Sequence, residues 1–373
     1  MKFLIITHVL HKQKDNRWFA YAPYVNEMNL WLKYVDEVEI LAPSLINKPT
    51  TIESSYRHDK IKFTKIPPIA FISFKMVLYS MLRLPLIFFK IFKACRKTDH
   101  IHLRCPGNIG LIGCFVQVFF SKKIKTAKYA GNWDPKAKQP LSYKLQKIIL
   151  SNTLLTKNIQ VLVYGHWKDQ TKNIKPFFTA TYKKSEIEKP IKRDYLGELK
   201  FIFVGSLAEG KRPLFAVKIV EKLYKQGKNV SLNVYGDGIL KEVLEDYIVT
   251  NELERVIVLH GNQSKEIIKD ELKKTHFLIL PSKSEGWPKV IAEAMFFGVI
   301  PIATKVSCVP NMLDHGNRGV LIQPELYGDV AIINKVLDDI LLLEAMSQKA
   351  SDWSQSYTLD VFEEEISKLL IHS

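Results

Sequence analysis

From residue 201 onward the chain alternates short apolar runs with amphipathic stretches. FIFVG (201–205), VSLNVYG (230–236), RVIVLHG (255–261), HFLILPS (276–282) and VIPIAT (299–304) are β-rich and nearly continuous in apolar residues. Between them, 211–226, 238–248, 264–274 and 288–298 carry helical spacing; in the first, Leu214, Val217, Ile219, Val220 and Leu223 recur on one side. Strands without in–out alternation are buried on both faces, and strand–helix alternation builds a parallel sheet covered by helices. The first half repeats the scheme more loosely, with strands predicted at 2–8, 37–43, 100–106, 124–131 and 158–165. We therefore expect an α/β protein with two Rossmann-like, doubly wound domains in tandem. A length of 373 residues fits two domains at roughly 150 residues each. The polar stretch YKKSEIEKPIKRDYLGELK (182–200) reads as the linker, and YTLDVFEEEISKLL (357–370) as a last amphipathic helix that Thr358 can cap.

Charge separates the halves. Residues 1–200 hold 35 Lys and Arg against 14 Asp and Glu, a balance of +21; residues 201–373 hold 19 against 24, or −5. A half at +21 either meets something anionic or is a Lys-rich solvated surface. The basic residues are not interleaved with aromatics in a short tract, and no nucleic-acid-binding motif is present, so we expect no nucleic-acid partner. Cys95, Cys105, Cys114 and Cys308 form no C-x-x-C pair, which argues against zinc and dithiol chemistry and for a reducing compartment. The opening MKFLIITHVLHK is too short an apolar run for a signal peptide, so a cytoplasmic location is expected.

Ligands of open α/β sheets bind beyond the carboxyl ends of the strands, which directs attention to the loops there. In SEGWPKVIAEAM (284–295) a loop runs into a helix that Pro288 can open. The N–H groups of Lys289, Val290 and Ile291 then face outward and, with the helix dipole, form an anion site. Gly286 permits close backbone approach, Glu293 can accept hydrogen bonds from vicinal hydroxyls, and Glu285 stands in the loop. Two ordinary surface glutamates are the plainer alternative. VGSLAEGKRP (204–213) offers Gly205 for a turn, with Lys211 and Arg212 as cations for a phosphate or as a solvated helix start. YGDGILK (235–241) places Gly236 and Gly238 around Asp237, which by itself is turn chemistry.

Together these elements resemble glycosyltransferase family 4 of the GT-B fold, over about 200–325 and the tail helix. The resemblance rests on the E-x7-E element Glu285…Glu293, with Gly286, Pro288, Val290, Ala294, Met295 and Gly298 in place, and on the spacing from Gly205 to Lys211. It implies an N-terminal acceptor domain over 1–181 and a linker over 182–199. A nucleotide-sugar domain follows over 200–352, and the segment 353–373 returns to pack on the first domain. It implies two domains facing across a cleft, and a retaining transfer from a nucleoside-diphosphate sugar to a saccharide or lipid-linked acceptor, with no cofactor and no metal. No D-x-D triplet occurs in the chain. In this reading Glu285 contacts the donor sugar and Lys211 the diphosphate, both in catalytic roles, and Glu293 holds the ribose. Gly205, Ser206, Arg212, Gly236, Gly238, Gly286, Trp287, Lys289 and Val290 surround the donor. Ser206 stands where the family has an arginine, and Ser307–Asn311 replaces its Gly-Gly-x-Pro-Glu run. A UDP-sugar 2-epimerase-like enzyme of the same fold is the alternative activity, and a nucleic-acid-binding protein using the basic half is the alternative of a different class.

The first domain departs further from the family. Its first loop carries His8 and His11 instead of glycines, and Ala130 or Gly131 stands in place of the family's histidine. Asn132, Trp133 and Asp134 are the substitute candidates, Trp133 either stacking a sugar or anchoring the loop. His102 and Arg104, on the same side of their strand, face either substrate or a structural salt bridge. Finally, IAFISFKMVLYSMLRLPLIFFKIF (69–92) carries Lys75, Arg83 and Lys90 on one helical face, with Lys93 just beyond. It reads either as an in-plane helix on an anionic membrane, broken or kinked at Pro85, or as an ordinary core helix. A peripheral position on the inner face of the cell membrane follows from the first reading.

Overall fold

The computed structural model describes residues 1–50, 52–69 and 74–371, with the backbone alone described over 74–78. The chain forms two compact units: residues 1–177 with 363–373, and residues 178–362.

The first unit contains β1 (Lys2–Ile6), β2 (His11–Lys14), β3 (Arg17–Tyr21), α1 (Ala22–Trp31), β4 (Glu37–Ala42), β5 (Ser44–Leu45), β6 (Glu53–Ser55), β7 (Ile61–Lys65), α2 (Phe74–Arg96), β8 (His100–Cys105), α3 (Asn108–Val116), β9 (Ile124–Tyr129), α4 (Leu141–Ser151), β10 (Ile159–Tyr164) and β11 (Ile174–Phe177). Seven of these strands make one sheet, ordered β11-β10-β9-β8-β1-β4-β7, and every pairing in it is parallel. The strand order reverses between β1 and β8, so their carboxyl ends are this sheet's switch point. The segment after β1 is a hairpin that the sequence reading did not anticipate. Asp15 and Asn16 take positive φ at its tip, the backbone a two-residue hairpin turn requires, and β2 and β3 join β5 and β6 in a small second sheet.

The second unit contains β12 (Leu199–Val204), α5 (Pro213–Lys225), β13 (Val230–Tyr235), α6 (Lys241–Thr250), β14 (Ile257–Gly261), α7 (Lys265–Lys274), β15 (Phe277–Leu280), α8 (Lys289–Phe296), β16 (Ile300–Thr304), α9 (Val309–Met312), β17 (Val320–Ile322), α10 (Leu326–Leu337) and α11 (Ile340–Gln355). Its six strands are ordered β14-β13-β12-β15-β16-β17, again all parallel. Phe201, Phe203, Leu232, Phe277, Ile279 and Ile300 fill its core without exposure. The predicted linker is not loose: Arg193 is buried and donates from Nε to the Thr275 carbonyl and from Nη2 to the Phe297 carbonyl, each at 2.7 Å.

The terminal helix α12 (Leu359–Ile371) starts where expected, with the Thr358 hydroxyl accepting from the Val361 N–H at 3.3 Å. Its residues from Glu363 on belong to the first unit, and Lys33 donates to Glu363 at 2.7 Å. The expected break at Pro85 does not occur. α2 runs through it, and the ring stands on the exposed side, where the carbonyl freed at Met81 can meet water. No helix among the described residues is long and apolar enough to cross a membrane.

Candidate functional site

The three loops singled out in the second unit come together at the carboxyl edge of its sheet. The loop after β12 is tied to the loop after β13 by hydrogen bonds from Gly205 N–H to the Tyr235 carbonyl, from Leu207 N–H to Asp237, and from Leu240 N–H to Leu207, at 2.9–3.0 Å. Gly236 carries the geometric constraint. Its φ is +138°, and a Cβ there would lie 1.9 Å from the Gly205 carbonyl oxygen, so a side chain would pry the loops apart. At Gly205 an added Cβ would meet nothing closer than 3.8 Å. The loop after β15 joins through the Lys283 N–H, which donates to the Gly210 carbonyl at 2.8 Å.

Lys211 and Glu285 meet across these loops. The ammonium donates to Glu285 Oε1 at 2.5 Å, with the carboxylate only 8% exposed and the lysine 31%. Arg212 takes a left-handed φ of +51° at the start of α5 and reaches the Pro281 carbonyl from Nη1 at 3.4 Å. Ser206 stays exposed beside them. Gly286 is fixed from behind: its carbonyl accepts from the Cys308 thiol at 3.0 Å and the Ser307 hydroxyl at 3.3 Å. Burial pushes the Cys308 thiol up to about 12, so it serves this loop as a neutral donor. The segment that departs from the Gly-Gly-x-Pro-Glu run therefore has its own task, which spacing alone does not disclose.

Pro288 is the cap residue of α8 rather than its first helical residue. One consequence corrects the sequence reading: the Ile291 N–H donates back to the Pro288 carbonyl at 2.9 Å and so is not one of the outward donors. Glu293, just over one turn into α8, accepts from the Thr181 hydroxyl at 2.7 Å. Thr181 lies on a strap, residues 179–182, that with Lys289, Ala292 and Glu293 encloses a small cavity. The strap had no signature in the sequence. Trp287 turns its ring toward Trp353 and Tyr357, with centroids at 6.1 and 6.2 Å, and so anchors the loop on α11.

The candidates of the first unit are drawn into the fold. His102 is fully buried, and its Nδ1 lies 2.8 Å from the Thr126 hydroxyl, which also meets His100 Nε2 at 2.9 Å. One hydroxyl bridges the two rings. Burial lowers the His100 pKa to about 3 and His102 well below its usual value, so both rings are neutral. Arg104 takes the structural option, donating from Nη1 to Glu27 Oε1 at 3.1 Å, where Lys128 also arrives at 3.1 Å. Trp133 is 2% exposed, donates from Nε1 to Gln170 at 2.9 Å and meets Tyr129 edge-on, so it is a loop anchor and not a sugar platform. Asn132 and Asp134 each cap their own turn, accepting from the N–H two residues on at 2.8 Å. His11 is buried against Tyr56. His8 alone stands exposed at the switch point, its ring against Gly107.

Two parallel doubly wound units with this strand order define the GT-B fold. The Anabaena protein HepE, solved in complex with UDP, shares that fold with a TM-score of 0.66 over the whole of both chains at 14% identity. Residues 184–354, which include the three loops and α8, match the family described as glycosyl transferases group 1. Among curated relatives, the alpha-D-kanosaminyltransferase of Streptomyces kanamyceticus is 26% identical over 151 residues, 40% of this chain and 39% of that one. The lipopolysaccharide 1,6-galactosyltransferase of Salmonella typhimurium is 28% identical over 156 residues, 41% of each. The chain spans about half or less of the length of the first of these relatives.

Proposed function

We propose that this protein is a retaining glycosyltransferase of family 4 that moves a sugar, of hexose type, from a nucleoside-diphosphate sugar to a saccharide or lipid-linked saccharide acceptor in cell-surface polysaccharide synthesis. The Lys211–Glu285 pair at the mouth of α8 carries the reading. A diphosphate lying at the start of α8 sits on a helix N-terminus, where backbone donors and dipole favour negative charge. Lys211 has two further N–H donors beyond the one given to Glu285, so it serves the diphosphate and fixes the carboxylate together. Glu285 then receives hydroxyls of the donor sugar. Glu293 accepts from the ribose hydroxyls, with Thr181 orienting it. In the transfer, the bond from the anomeric carbon to the diphosphate oxygen breaks and one to the acceptor oxygen forms. The acceptor's hydroxyl proton is released, and the nucleoside diphosphate leaves with the bonding pair. Charge growing on that leaving group is what Lys211, Arg212 and the α8 N-terminus stabilise, without need of a metal.

HepE, solved with UDP bound, and the lipopolysaccharide galactosyltransferase support a uridine donor and a surface-glycan acceptor. The basic first unit suits a place on the inner, anionic face of the membrane. A thermal-shift panel of UDP, GDP, ADP and CMP, run in EDTA, tests the donor reading. One base should raise the melting temperature as RT ln(1+[L]/Kd), with UDP foremost. A flat panel would sink it.

A further inference from the structure

A second feature lies on the α2–α3–α4 side of the first unit. A groove of about 820 Å³ opens between α2 and the α3 segment, lined by Leu84, Phe88, Ile112, Phe115, Phe119 and Leu155 among others. Asn108 is the only polar residue of that lining among the described residues. The volume is that of a small-molecule site, roughly 300–1,000 Å³, but the walls offer almost nothing to a hydroxyl or a charge. Only apolar matter gains by filling such a space. The surface beside it is apolar as well: Met81, Leu82, Leu86 and Phe89 on α2 are each at least half exposed, and Leu154 is 80% exposed. Contiguous apolar surface of this kind marks an interaction site.

Charge identifies the occupant. From Lys60 through Lys168 the chain holds twenty Lys and Arg and two acidic residues, Asp99 and Asp134. No acidic residue lies on α2, α3 or α4. Lys122 follows Phe119, and Lys144 and Lys157 flank the exposed leucines near the end of α4, whereas Arg83 and Lys90 stand on the face of α2 away from the groove. A second copy of this chain would bring the same cations against these and be repelled. We propose that the groove takes one acyl chain of an anionic phospholipid drawn from a bilayer surface, with the head-group phosphate among the rim cations. The proposal extends the membrane contact suggested above to a defined lipid site and does not depend on the sugar chemistry.

The test uses monomeric lysophosphatidylglycerol, below its micelle concentration, titrated into the full chain by calorimetry. Glycerophosphoglycerol and lysophosphatidylcholine are the comparators. We expect saturable one-to-one binding of lysophosphatidylglycerol, weaker binding of the choline lipid and none of the chain-free head group. Val118→Trp, which fills the groove from its wall, should weaken binding about tenfold or more. Leu155→Trp, at a partly exposed position, does the same service if the first variant folds poorly. Lys122→Gln, Lys144→Gln and Lys157→Gln together should abolish the preference over the choline lipid. Absence of saturable binding to the wild type overturns the proposal. So does unaltered binding by folded groove variants, or a dimer in light scattering that hides the groove. The UDP thermal shift is read on the same samples. Its failure with lipid binding intact sinks the transferase reading and leaves the groove standing.

Discussion

The two units share a sheet type and differ in where their charged residues go. In the second, Lys211 and Glu285 stand on loops and Glu293 in α8, beside a framework of backbone hydrogen bonds that holds three loops together. In the first, Arg104, Lys128, Glu27 and His102 occupy corresponding strand ends or the helix facing them, but they are turned inward and bonded to one another or to the sheet. A polar residue at a strand's carboxyl end is thus scaffold in the first unit and, on the function proposed above, chemistry in the second. What separates the pairs is the cation: Lys211, 31% exposed, has water on one side and can take a ligand, whereas Lys128, fully buried, is committed to the carboxylate it has.

That contrast is most severely tested at Glu27, 6% exposed, whose Oε1 meets both Arg104 and Lys128, the latter fully buried. Glu27→Ala removes the carboxylate both cations share and should cost about 3–5 kcal/mol in urea denaturation. UDP affinity should be unaltered. If stability holds and binding falls, the cluster belongs to a ligand site and the contrast collapses. The converse experiment is Lys211→Ala. It should lower kcat/KM by about 10²–10³-fold, the scale of losing one donor aimed at a growing negative charge, with little change in melting temperature. A large loss of stability with activity per folded molecule intact would make the Lys211–Glu285 pair scaffold too.

Acid should separate the units. His11 and His100 in the first unit are held by burial at about 4 and about 3, and His102 lies well below its usual value; His276, at about 4 through burial and the nearby Arg193, is the second unit's counterpart. Each titrates near 6.5 when unfolded, so between 6.5 and its folded value the unfolded chain holds the extra proton. Stability is therefore full above pH 6.5 and falls as the pH drops through that window, by about 1.4 kcal/mol per histidine per unit. His11, His100 and His102, with His8, whose pKa desolvation and Arg104 also lower, stand against one and leave the first unit at least about 3 kcal/mol worse off at pH 5.5. Hydrogen exchange at pH 7.5 and 5.5 should show protection lost first in β1, β8 and β9. Equal loss in both units would contradict the assignment.

How much of this was legible follows the same division. The strand–helix alternation after residue 200 is readable because parallel strands are apolar throughout and each ends at a glycine or a polar loop. Glu285 and Glu293 are readable because both stand within one loop–helix segment. Thr181 is not, since it reaches Glu293 from 112 residues away along the chain. In the first unit alternation placed His102 and Arg104 on one side of β8, as the structure has it, but that side is the inside. Nothing local tells a strand which face α1 will cover. The hairpin after β1 was missed because Asp15-Asn16 sits in a polar run that reads as loop, although Asp and Asn are among the residues that tolerate the left-handed backbone its turn needs.

The finest test of the second unit is Glu293. Its Oε1 is already satisfied by Thr181 at 2.7 Å, so the protein holds the carboxylate in place before any ligand arrives. If it receives the ribose, Glu293→Ala leaves two hydroxyls without an acceptor and should weaken UDP by about 1–3 kcal/mol in calorimetry, while 2′-deoxy-UDP should lose less on going from wild type to variant. Thr181→Val keeps the carboxylate and removes only its orienting donor, so its effect should be smaller, about 0.5–1.5 kcal/mol, and in the same direction. The pair of variants distinguishes two meanings of the contact. If Thr181→Val tightens UDP binding, the hydroxyl competes with the nucleotide for Glu293 and the strap is an obstacle. If both variants leave affinity unchanged, Glu293 ties the strap to α8, and the second unit uses a carboxylate as the first unit uses Glu27.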